Sequence, residues 1–510
     1  MRFEYLEEIL KAPVYDVAVE SPLARMTTLS ERLGHTVLLK REDLQPVFSF
    51  KLRGAYNRMV QLTPDERMRG VVAASAGNHA QGVALAARHL AVPARIVMPV
   101  TTPPIKVAAV RRFGGEAILV GDSFDDAQTF ALDLCEREGL TFIPPFDDPY
   151  VIAGQGTVAM ELLRQYTGPL DAVFVCVGGG GLLAGMGAYI KRLRPEVKVI
   201  GVEPHDAPSM YEALKANRRV RLRQVGIFAD GAAVREVGRE TFRVAREVCD
   251  EVMLVDTDAI CAAIKDIFDD TRVLAEPAGA LAVAGVKQYV ERLRASEGAG
   301  VRPRHFAAVL SGANINFDRL RHVAERTEIG ERREALFAVE IPERPGSFLR
   351  FCEILGRRSI TEFNYRYADA ARAQVFAGIQ LVDGDRERLA LAESLGAQGF
   401  DVLDLTDNEL AKLHLRHLVG GHAPAVTDER LFRFEFPERP GALLEFLTTL
   451  GSNYNISLFH YRNHGSAYGR VLIGVQVPEG EHRAFLRALK NTGLVFWDEQ
   501  DNPAYARFLR

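Results

Sequence analysis

The sequence predicts an α/β protein with mainly parallel sheets, followed by a smaller α+β region that is built twice. Between residues 20 and 320, short apolar runs alternate with longer amphipathic ones, and several runs end in loops rich in glycine or serine. A segment that begins at Phe337 returns 95 residues later. Alternation of this kind is typical of strands and helices arranged around a parallel sheet, and a regular return indicates a duplicated module.

Length and composition indicate a globular protein with more than one domain. The chain has 510 residues, of which 47% are hydrophobic and 25% are charged, and its formal net charge is −4. A chain of this length exceeds one ordinary hydrophobic core, so two or more domains are expected. The small net charge provides no field that would recruit nucleic acid or a membrane, and we therefore expect a small-molecule partner.

The cysteines and the first residues indicate the compartment. Five cysteines, with no CxxC pair among them, predict neither a disulfide framework nor a metal site. The first ten residues include acidic side chains where a signal peptide would have an apolar run, so we expect a cytoplasmic protein. An uncharged stretch from Ala172 to Ile190 contains four consecutive glycines, which favours a strand, a loop and a helix over a membrane span.

The first chemically informative segment is SFKLRGA, which contains Lys51. An aldehyde cofactor requires an amine that is unprotonated part of the time, and partly apolar surroundings lower the pKa of a lysine enough to permit this. Taken alone, a lysine between Phe and Leu is more often an ordinary side chain whose stem packs on its neighbours.

The segment SAGNHAQG follows the apolar strand 71–74 and begins a helical pattern. Small residues at Ser75, Ala76 and Gly77 let a ligand approach the backbone, and free N–H groups at a helix start can bind a carboxylate. Asn78 is placed to donate a hydrogen bond to an oxygen on a ring. The alternative is a plain turn capped by asparagine.

Two further loops follow apolar runs. Gly178, Gly179, Gly180, Gly181 and Leu182 come after the run 172–177. Their bare backbone N–H groups suit a phosphate dianion, although close packing of strand on helix is the alternative. The Lys-Ser/Thr ending of a P-loop and the spacing of the dinucleotide fingerprint are both missing. Ser311, in SGAN, ends another run; it is either a turn residue or a partner for a neutral pyridine nitrogen.

Together SFKLRGA, SAGNHAQG, VGGGGLLAG and SGAN resemble pyridoxal-phosphate enzymes of the tryptophan-synthase-β type, and within them the threonine and serine dehydratases. The resemblance implies pyridoxal 5'-phosphate as cofactor, bonded by Lys51. It implies that Asn78 contacts the ring hydroxyl, that Gly178 to Leu182 hold the phosphate and that Ser311 faces the ring nitrogen. Ser75, Ala76 and Gly77 would then bind the substrate carboxylate.

The tail contains two copies of one module. FAVEIPERPGSFLRF (337–351) returns as FRFEFPERPGALLEF (432–446), and FNYRY returns as FHYRN. Each copy predicts a strand, a Pro-Gly turn, an amphipathic helix and further strands, as in a small α+β sandwich. The turn from Glu343 to Gly346 is either a tight turn or a helix start that binds a carboxylate.

A dehydratase domain followed by two ACT-like modules resembles the biosynthetic threonine deaminases. The resemblance implies L-threonine, and also L-serine, as substrates in the first step of isoleucine biosynthesis. Isoleucine would be the inhibitor, valine the opposing effector and the assembly a homotetramer. Tyr365 and Tyr461 fall where the family senses effectors, with aromatic packing between the modules as the alternative.

The expected domains are a pyridoxal-phosphate domain over 1–330 and ACT-like modules over 335–420 and 430–510. Two other interpretations remain at this stage. One is a different enzyme on the same fold, such as a serine dehydratase, a serine racemase or a β-replacement enzyme. The other is an amino-acid sensor without catalytic activity.

Overall fold

The structure is a computed structural model in which two compact units, Met1–Phe317 and Asp318–Arg510, are distinguished. It describes residues 3–297, 302–342, 351, 354–355, 358, 360–367, 372–417, 428–437, 449, 454–462 and 468–509. Along the described chain, no helix combines the length and the apolar character that crossing a membrane requires.

The described part of the first unit contains two sheets. Their strands are β1 (Leu23–Arg25), β2 (Thr36–Arg41), β3 (Val71–Ala74), β4 (Ala94–Met98), β5 (Glu116–Leu119), β6 (Thr141–Phe142), β7 (Ala172–Cys176), β8 (Lys198–Pro204), β9 (Glu251–Val255) and β10 (His305–Leu310). A six-stranded sheet has the order β1-β2-β10-β7-β8-β9 and a four-stranded sheet the order β5-β4-β3-β6. Only the β1–β2 pairing among these strands is antiparallel, which confirms the predicted α/β fold with mainly parallel sheets.

Helices connect these strands. They are α1 (Tyr5–Lys11), α2 (Thr27–Leu33), α3 (Lys51–Val60), α4 (Pro64–Arg69), α5 (Asn78–Leu90), α6 (Pro104–Arg112), α7 (Phe124–Glu138), α8 (Pro149–Gln165), α9 (Gly181–Leu193), α10 (Ser209–Ala216), α11 (Arg239–Val248), α12 (Thr257–Thr271) and α13 (Pro277–Glu297). The uncharged stretch from residue 172 to 190 folds as β7, a glycine loop and most of α9.

The position of the candidate loops follows from the parallel sheets. All five residues of β7 are buried, as expected of a strand with both faces covered by helices. Strand β10 lies beside β7 in register, with Ala308 next to Phe174. The loops that follow both strands therefore leave the same edge of the sheet, where ligands of parallel sheets bind.

The second unit begins with α14 (Arg319–Gly330) and repeats one antiparallel sheet. The strands of the first copy are β11 (Glu334–Pro342), β12 (Ile360–Tyr367), β13 (Arg372–Gln380) and β14 (Asp401–Asp404). Those of the second copy are β15 (Glu429–Pro437), β16 (Asn455–Arg462), β17 (Tyr468–Gln476) and β18 (Val495–Asp498). The sheet orders, β12-β13-β11-β14 and β16-β17-β15-β18, are the same, which confirms the duplicated α+β module.

The described helices of this unit are α15 (Gly384–Ala397), α16 (Glu409–Leu413), α17 (His482–Asn491) and α18 (Pro503–Phe508). Each sheet has an irregularity at an equivalent place, between Ile360 and Glu362 in one copy and between Ile456 and Leu458 in the other. The turn predicted from Glu343 to Gly346 lies outside the described residues.

Candidate active site

Lys51 begins helix α3, directly after a short contact between two loops. Ser49 pairs with Gly312 in an isolated antiparallel bridge. The backbone N–H of Phe50 donates to the carbonyl of Ser311 at 3.2 Å. The Lys51 Nζ donates to the carbonyl oxygen of Pro145 at 3.0 Å. Burial lowers the pKa of the Lys51 amine to about 8, so a useful fraction is unprotonated near neutral pH.

The glycine loop between β7 and α9 requires glycine at two positions at least. Gly180 has a φ of +93°, in the left-handed region that L side chains avoid. A Cβ at Gly179 would lie 2.1 Å from the ring of Phe146. The Thr241 hydroxyl holds the loop by donating to the carbonyl of Gly179 at 2.7 Å. The loop is therefore fixed by its neighbours.

The lysine and the glycine loop belong to one site. Pro145, which accepts the hydrogen bond from Lys51, is followed by Phe146, which packs against Gly179. A Cβ at Gly181 would also lie 3.2 Å from the Cβ of Phe146. The segment at 145–146 thus bridges the amine and the predicted phosphate cradle.

Ser311 lies at the end of β10, and the structure places Cys176, the last residue of β7, beside it. Burial raises the pKa of the Cys176 thiol to about 11, although a hydrogen bond with Ser311 and the nearby Lys51 amine both act to lower it. Cys176 is therefore an uncharged thiol near neutral pH. Cys176 was not predicted as a site residue, although its position just before the glycine loop was a usable signal.

Asn78, the first residue of α5, has partners from two other loops. Its Nδ2 donates to Oε1 of Glu276 at 2.6 Å. Its Oδ1 accepts from Nδ2 of Asn314 at 2.7 Å. Glu276 is 5% exposed and stands just before α13. Asn314 is the last residue of SGAN, and its contact with Asn78 was not anticipated from the sequence.

Ser75, Ala76 and Gly77 form the turn between β3 and α5. The backbone N–H of Gly77 donates to Oγ of Ser75 at 3.2 Å. A Cβ at Gly77 would meet no atom of the described residues within 4 Å, so a ligand has room to approach this backbone. The following residue, His79, is buried, and its Nε2 lies 2.8 Å from the carbonyl oxygen of Ile143. Burial lowers the pKa of His79 to about 3, so the imidazole stays neutral beside Lys51.

These residues fit the cofactor that the sequence resemblance implies. The lysine amine has a lowered pKa, and a loop without side chains faces the same site. Ser49 is fully buried, and its hydroxyl has no hydrogen-bond partner within the described part of the chain, although buried polar groups are nearly always paired. An aldehyde, an anionic group and a polar ring edge are the kinds of group that such a donor set can hold.

Tyr365 and Tyr461 belong to the second unit. Their backbones lie at equivalent places in β12 and β16, opposite Val375 and Val471 respectively. Their side chains lie outside the part that the structure describes. Among the described residues, no group of three or more His, Cys, Asp or Glu side chains is arranged to hold a metal ion.

Two protein families match this chain. Residues 15–302 match the family described as "Pyridoxal-phosphate dependent enzyme". Residues 325–415 and 420–509 match "C-terminal regulatory domain of Threonine dehydratase". Over 509 residues, the chain is 56% identical to "L-threonine dehydratase biosynthetic IlvA" of Burkholderia multivorans, an alignment that covers 99% of each chain.

Many solved structures resemble the chain, among them a threonine deaminase and a serine racemase. One is the processed form of threonine deaminase isoform 2 from Solanum lycopersicum, with 51% identity, a TM-score of 0.62 and coverage of 64% of this chain and 88% of that one. The other is serine racemase from Dictyostelium discoideum, with 31% identity, a TM-score of 0.56 and coverage of 61% and 99%. The match to the bacterial dehydratase, unlike these two, extends through the duplicated tail. This chain therefore belongs to the pyridoxal-phosphate-dependent enzymes and, among them, to the biosynthetic threonine dehydratases.

Proposed function

We propose that this protein converts L-threonine to 2-oxobutyrate and ammonia by β-elimination, as the first step of isoleucine biosynthesis, and that it also accepts L-serine. The observation that carries the proposal is the Lys51 amine, whose burial lowers its pKa to about 8 beside the glycine loop. The full-length similarity to a biosynthetic threonine dehydratase supports the choice of substrate.

Bound pyridoxal phosphate supplies an electron sink for the bond to hydrogen at the substrate α-carbon. Lys51 would hold the cofactor in the resting enzyme, and its amine would be available as a base when threonine is bound. Its amine, with a pKa near neutrality, is suited to remove the α-proton. The turn at Ser75, Ala76 and Gly77, at the start of α5, offers backbone N–H groups for the substrate carboxylate.

The remaining residues of the site would bind and orient the cofactor. Gly178, Gly179, Gly180, Gly181 and Leu182 hold the phosphate at the start of α9. Asn78 contacts the ring hydroxyl. Ser311 faces the ring nitrogen, and because a serine hydroxyl is not an acid, it does not force a proton onto that nitrogen. A site of this kind would favour loss of the β-hydroxyl over slower reactions at the α-carbon.

The second unit supports regulation by amino acids. Its two copies match a regulatory domain of threonine dehydratases. We propose isoleucine as inhibitor and valine as opposing effector, sensed at Tyr365 and Tyr461, in a cytoplasmic homotetramer. Coupling requires that an effector bind one arrangement of the enzyme better than another. We also propose that the pyridoxal-phosphate domain spans 1–330 and that the two ACT-like modules span 335–420 and 430–510.

The test is an assay of purified protein with threonine and pyridoxal phosphate, measuring 2-oxobutyrate with and without isoleucine. Lys51→Ala should lose the visible absorption of the bound cofactor and nearly all turnover. Lys265→Ala is the matched control, since this lysine lies on α12 in an ion pair with Asp269 whose two side chains are 31% and 38% exposed. Retention of absorption and turnover by Lys51→Ala would remove the lysine from this role.

Serine racemase is the second candidate, because the first unit resembles the Dictyostelium enzyme over nearly all of that chain. The two activities differ in product from L-serine: a dehydratase forms pyruvate, whereas a racemase forms D-serine. Chiral chromatography of the same reaction separates them. D-serine as the main product would reject the dehydratase assignment.

A further inference from the structure

Asn314 lies in a loop that several backbone hydrogen bonds hold in place. The N–H of Ala313 donates to the carbonyl of Phe48 at 2.9 Å, and that of Ile315 donates to the carbonyl of Ala313 at 2.8 Å. The bridge between Ser49 and Gly312 joins the same loop to the residues before Lys51. The position of the Asn314 side chain is therefore set by the strand end and by the loop that leads to Lys51.

The side chains of Asn314 and Asn78 form a hydrogen-bond chain with a fixed direction. Asn314 Nδ2 donates to the carbonyl of Val47 at 2.8 Å and to Asn78 Oδ1 at 2.7 Å. Asn78 Nδ2 donates in turn to Oε1 of Glu276 at 2.6 Å. A backbone carbonyl and a carboxylate can only accept hydrogen bonds. The acceptors at both ends of this hydrogen-bond chain therefore fix the two amides, each with its nitrogen toward an acceptor.

Gly312 provides the space for this arrangement. A Cβ at that position would lie 2.4 Å from Oε1 of Glu276 and 3.2 Å from Nδ2 of Asn78. The backbone of the same residue is also engaged, because the N–H of Glu276 donates to its carbonyl at 3.2 Å. The loop that carries Asn314 is therefore shaped around the contact between Asn78 and Glu276.

We propose that Asn314 is a positioning residue that fixes the orientation of the Asn78 amide for the cofactor ring. An amide nitrogen carries two hydrogens, and Glu276 takes one from Asn78. The second hydrogen of the Asn78 amide is then available to the ring hydroxyl oxygen. Without the donor at residue 314, Oδ1 of Asn78 loses its hydrogen bond, and the contact with Glu276 alone holds the amide in this orientation. The inference rests on the proposed function, because it requires Asn78 to contact the cofactor.

A double-mutant cycle on cofactor affinity tests this relation. Apoenzymes of wild type, Asn314→Ala, Asn78→Ala and the double variant are titrated with pyridoxal phosphate, and the visible absorption gives each Kd. We expect Asn314→Ala to weaken binding about 3- to 10-fold in the wild type, in line with loss of the hydrogen bond to Asn78 Oδ1. In the Asn78→Ala background the same change should alter the Kd less than about twofold, because the Asn78 amide that Asn314 orients is absent. Equal effects in both backgrounds would overturn the proposal.

Asn314→Asp distinguishes an orienting role from simple packing. Aspartate has nearly the same shape as asparagine, so a packing role would tolerate it. As a carboxylate it cannot donate to Asn78 Oδ1, and it would pull the amide nitrogen of Asn78 away from Glu276. We expect Asn314→Asp to bind cofactor at least as weakly as Asn314→Ala and to shift the visible absorption maximum. Wild-type affinity and spectrum in Asn314→Asp would overturn the proposal; if this variant does not fold, the cycle decides alone.

The same titration separates this inference from the proposed function. Lys51→Ala is included in every series. If Lys51→Ala loses the absorption while both Asn314 variants bind cofactor as the wild type does, only the positioning role fails. If Lys51→Ala keeps the absorption, the proposed function fails first.

Discussion

Arg53 donates through Nη1 to Oε1 of Glu161 at 2.6 Å, and both side chains are fully buried. The other side of the guanidinium contacts Glu42, with Nε to Oε2 and Nη2 to Oε1 both at 2.8 Å. Lys40 completes the cluster by an ion pair of 2.6 Å with Glu161. Two cations and two carboxylates thus balance each other in the interior, two residues from Lys51 along helix α3.

We expect Arg53→Met to destabilise the protein strongly. Removing one partner from a buried ion pair leaves an uncompensated charge and typically costs about 3–5 kcal/mol. Here the cluster would keep two buried carboxylates, Glu42 and Glu161, but one buried cation, Lys40. The measurement is the midpoint of thermal unfolding of the holoenzyme, with bound cofactor followed by absorption at the same temperatures.

Arg137→Met is the control for this substitution. Arg137 is also on a helix and pairs with Asp133 at 2.8 Å, but both side chains are 55% exposed. Exposed pairs of this kind contribute about 0–1 kcal/mol, so a small change is expected. Similar melting midpoints for Arg53→Met and Arg137→Met would show that the buried cluster contributes no more than a surface pair.

The burial of this cluster could not be predicted from the sequence. Arg53 is part of the SFKLRGA segment, but its partners Glu42 and Glu161 lie 11 and 108 residues away. A charged residue in a single sequence gives no sign of burial, because burial depends on which distant helix supplies the opposite charge. The alternation of strands and helices, by contrast, is a local pattern, and it predicted the parallel sheets.

The Lys51 amine should react at lower pH than an ordinary lysine. With a pKa of about 8, about a tenth of this amine is neutral at pH 7, against about 0.04% for an unperturbed lysine. In the cofactor-free enzyme, the rate of acetylation by acetic anhydride should therefore rise with pH and level off above about 8. Mass spectrometry of peptides that contain residue 51 gives this rate.

Lys11 is an internal control in the same digest. Its hydrogen bond to Glu7 raises its pKa above the ordinary value, so it should remain mostly protonated where Lys51 is already neutral. Its labelling rate should rise about tenfold per pH unit through pH 10, as expected below a pKa. A Lys51 rate that also keeps rising tenfold per unit between pH 9 and 10 would contradict a lowered pKa.

Gly180→Ala should weaken cofactor binding. The φ of +93° at this position costs an L residue about 1–2 kcal/mol, and the new Cβ would lie 2.6 Å from Cε of Met210. Relief of this strain shifts the loop that holds the phosphate, and we expect the Kd of pyridoxal phosphate to rise about tenfold. Titration of the apoenzyme measures it.

Gly396→Ala serves as the comparison for Gly180→Ala. Gly396 lies within α15, and a Cβ there would meet no described atom within 4 Å. Alanine is the better helix former, so this substitution should leave cofactor affinity unchanged and stability equal or slightly higher. Unchanged affinity in both variants would mean that the loop at residue 180 does not hold the phosphate.

The candidate site was only partly predictable. The consecutive glycines and the serine after β10 could be predicted as site residues from the sequence, because their roles depend on the residues next to them. Cys176 and Asn314 were missed, since their role depends on β7 and β10 being neighbours in the sheet and on α5 facing the loop after β10. Such proximity is decided by the order of strands, which no local pattern contains.

The last helix, α18, packs on the sheet of the first module. The ring of Phe508 meets that of Phe376 on β13 edge to face, with centroids 5.9 Å apart. Arg507 Nη1 also donates to the carbonyl of Ala338 on β11 at 3.2 Å. The end of the second copy thus covers part of the first, and the two copies share one apolar cluster.

Phe508→Ala should therefore loosen the two modules from each other. Phe508 is 6% exposed, and truncating a buried phenylalanine typically costs about 3–5 kcal/mol. If isoleucine acts by favouring one arrangement of the joined modules, this variant should need more isoleucine for half-inhibition of 2-oxobutyrate formation, while turnover without effector changes little. Leu389→Ala on α15 is the control, because that side chain is 62% exposed. A Phe508→Ala enzyme that melts earlier but keeps the wild-type isoleucine response would show that contact between the modules is not part of the regulatory equilibrium.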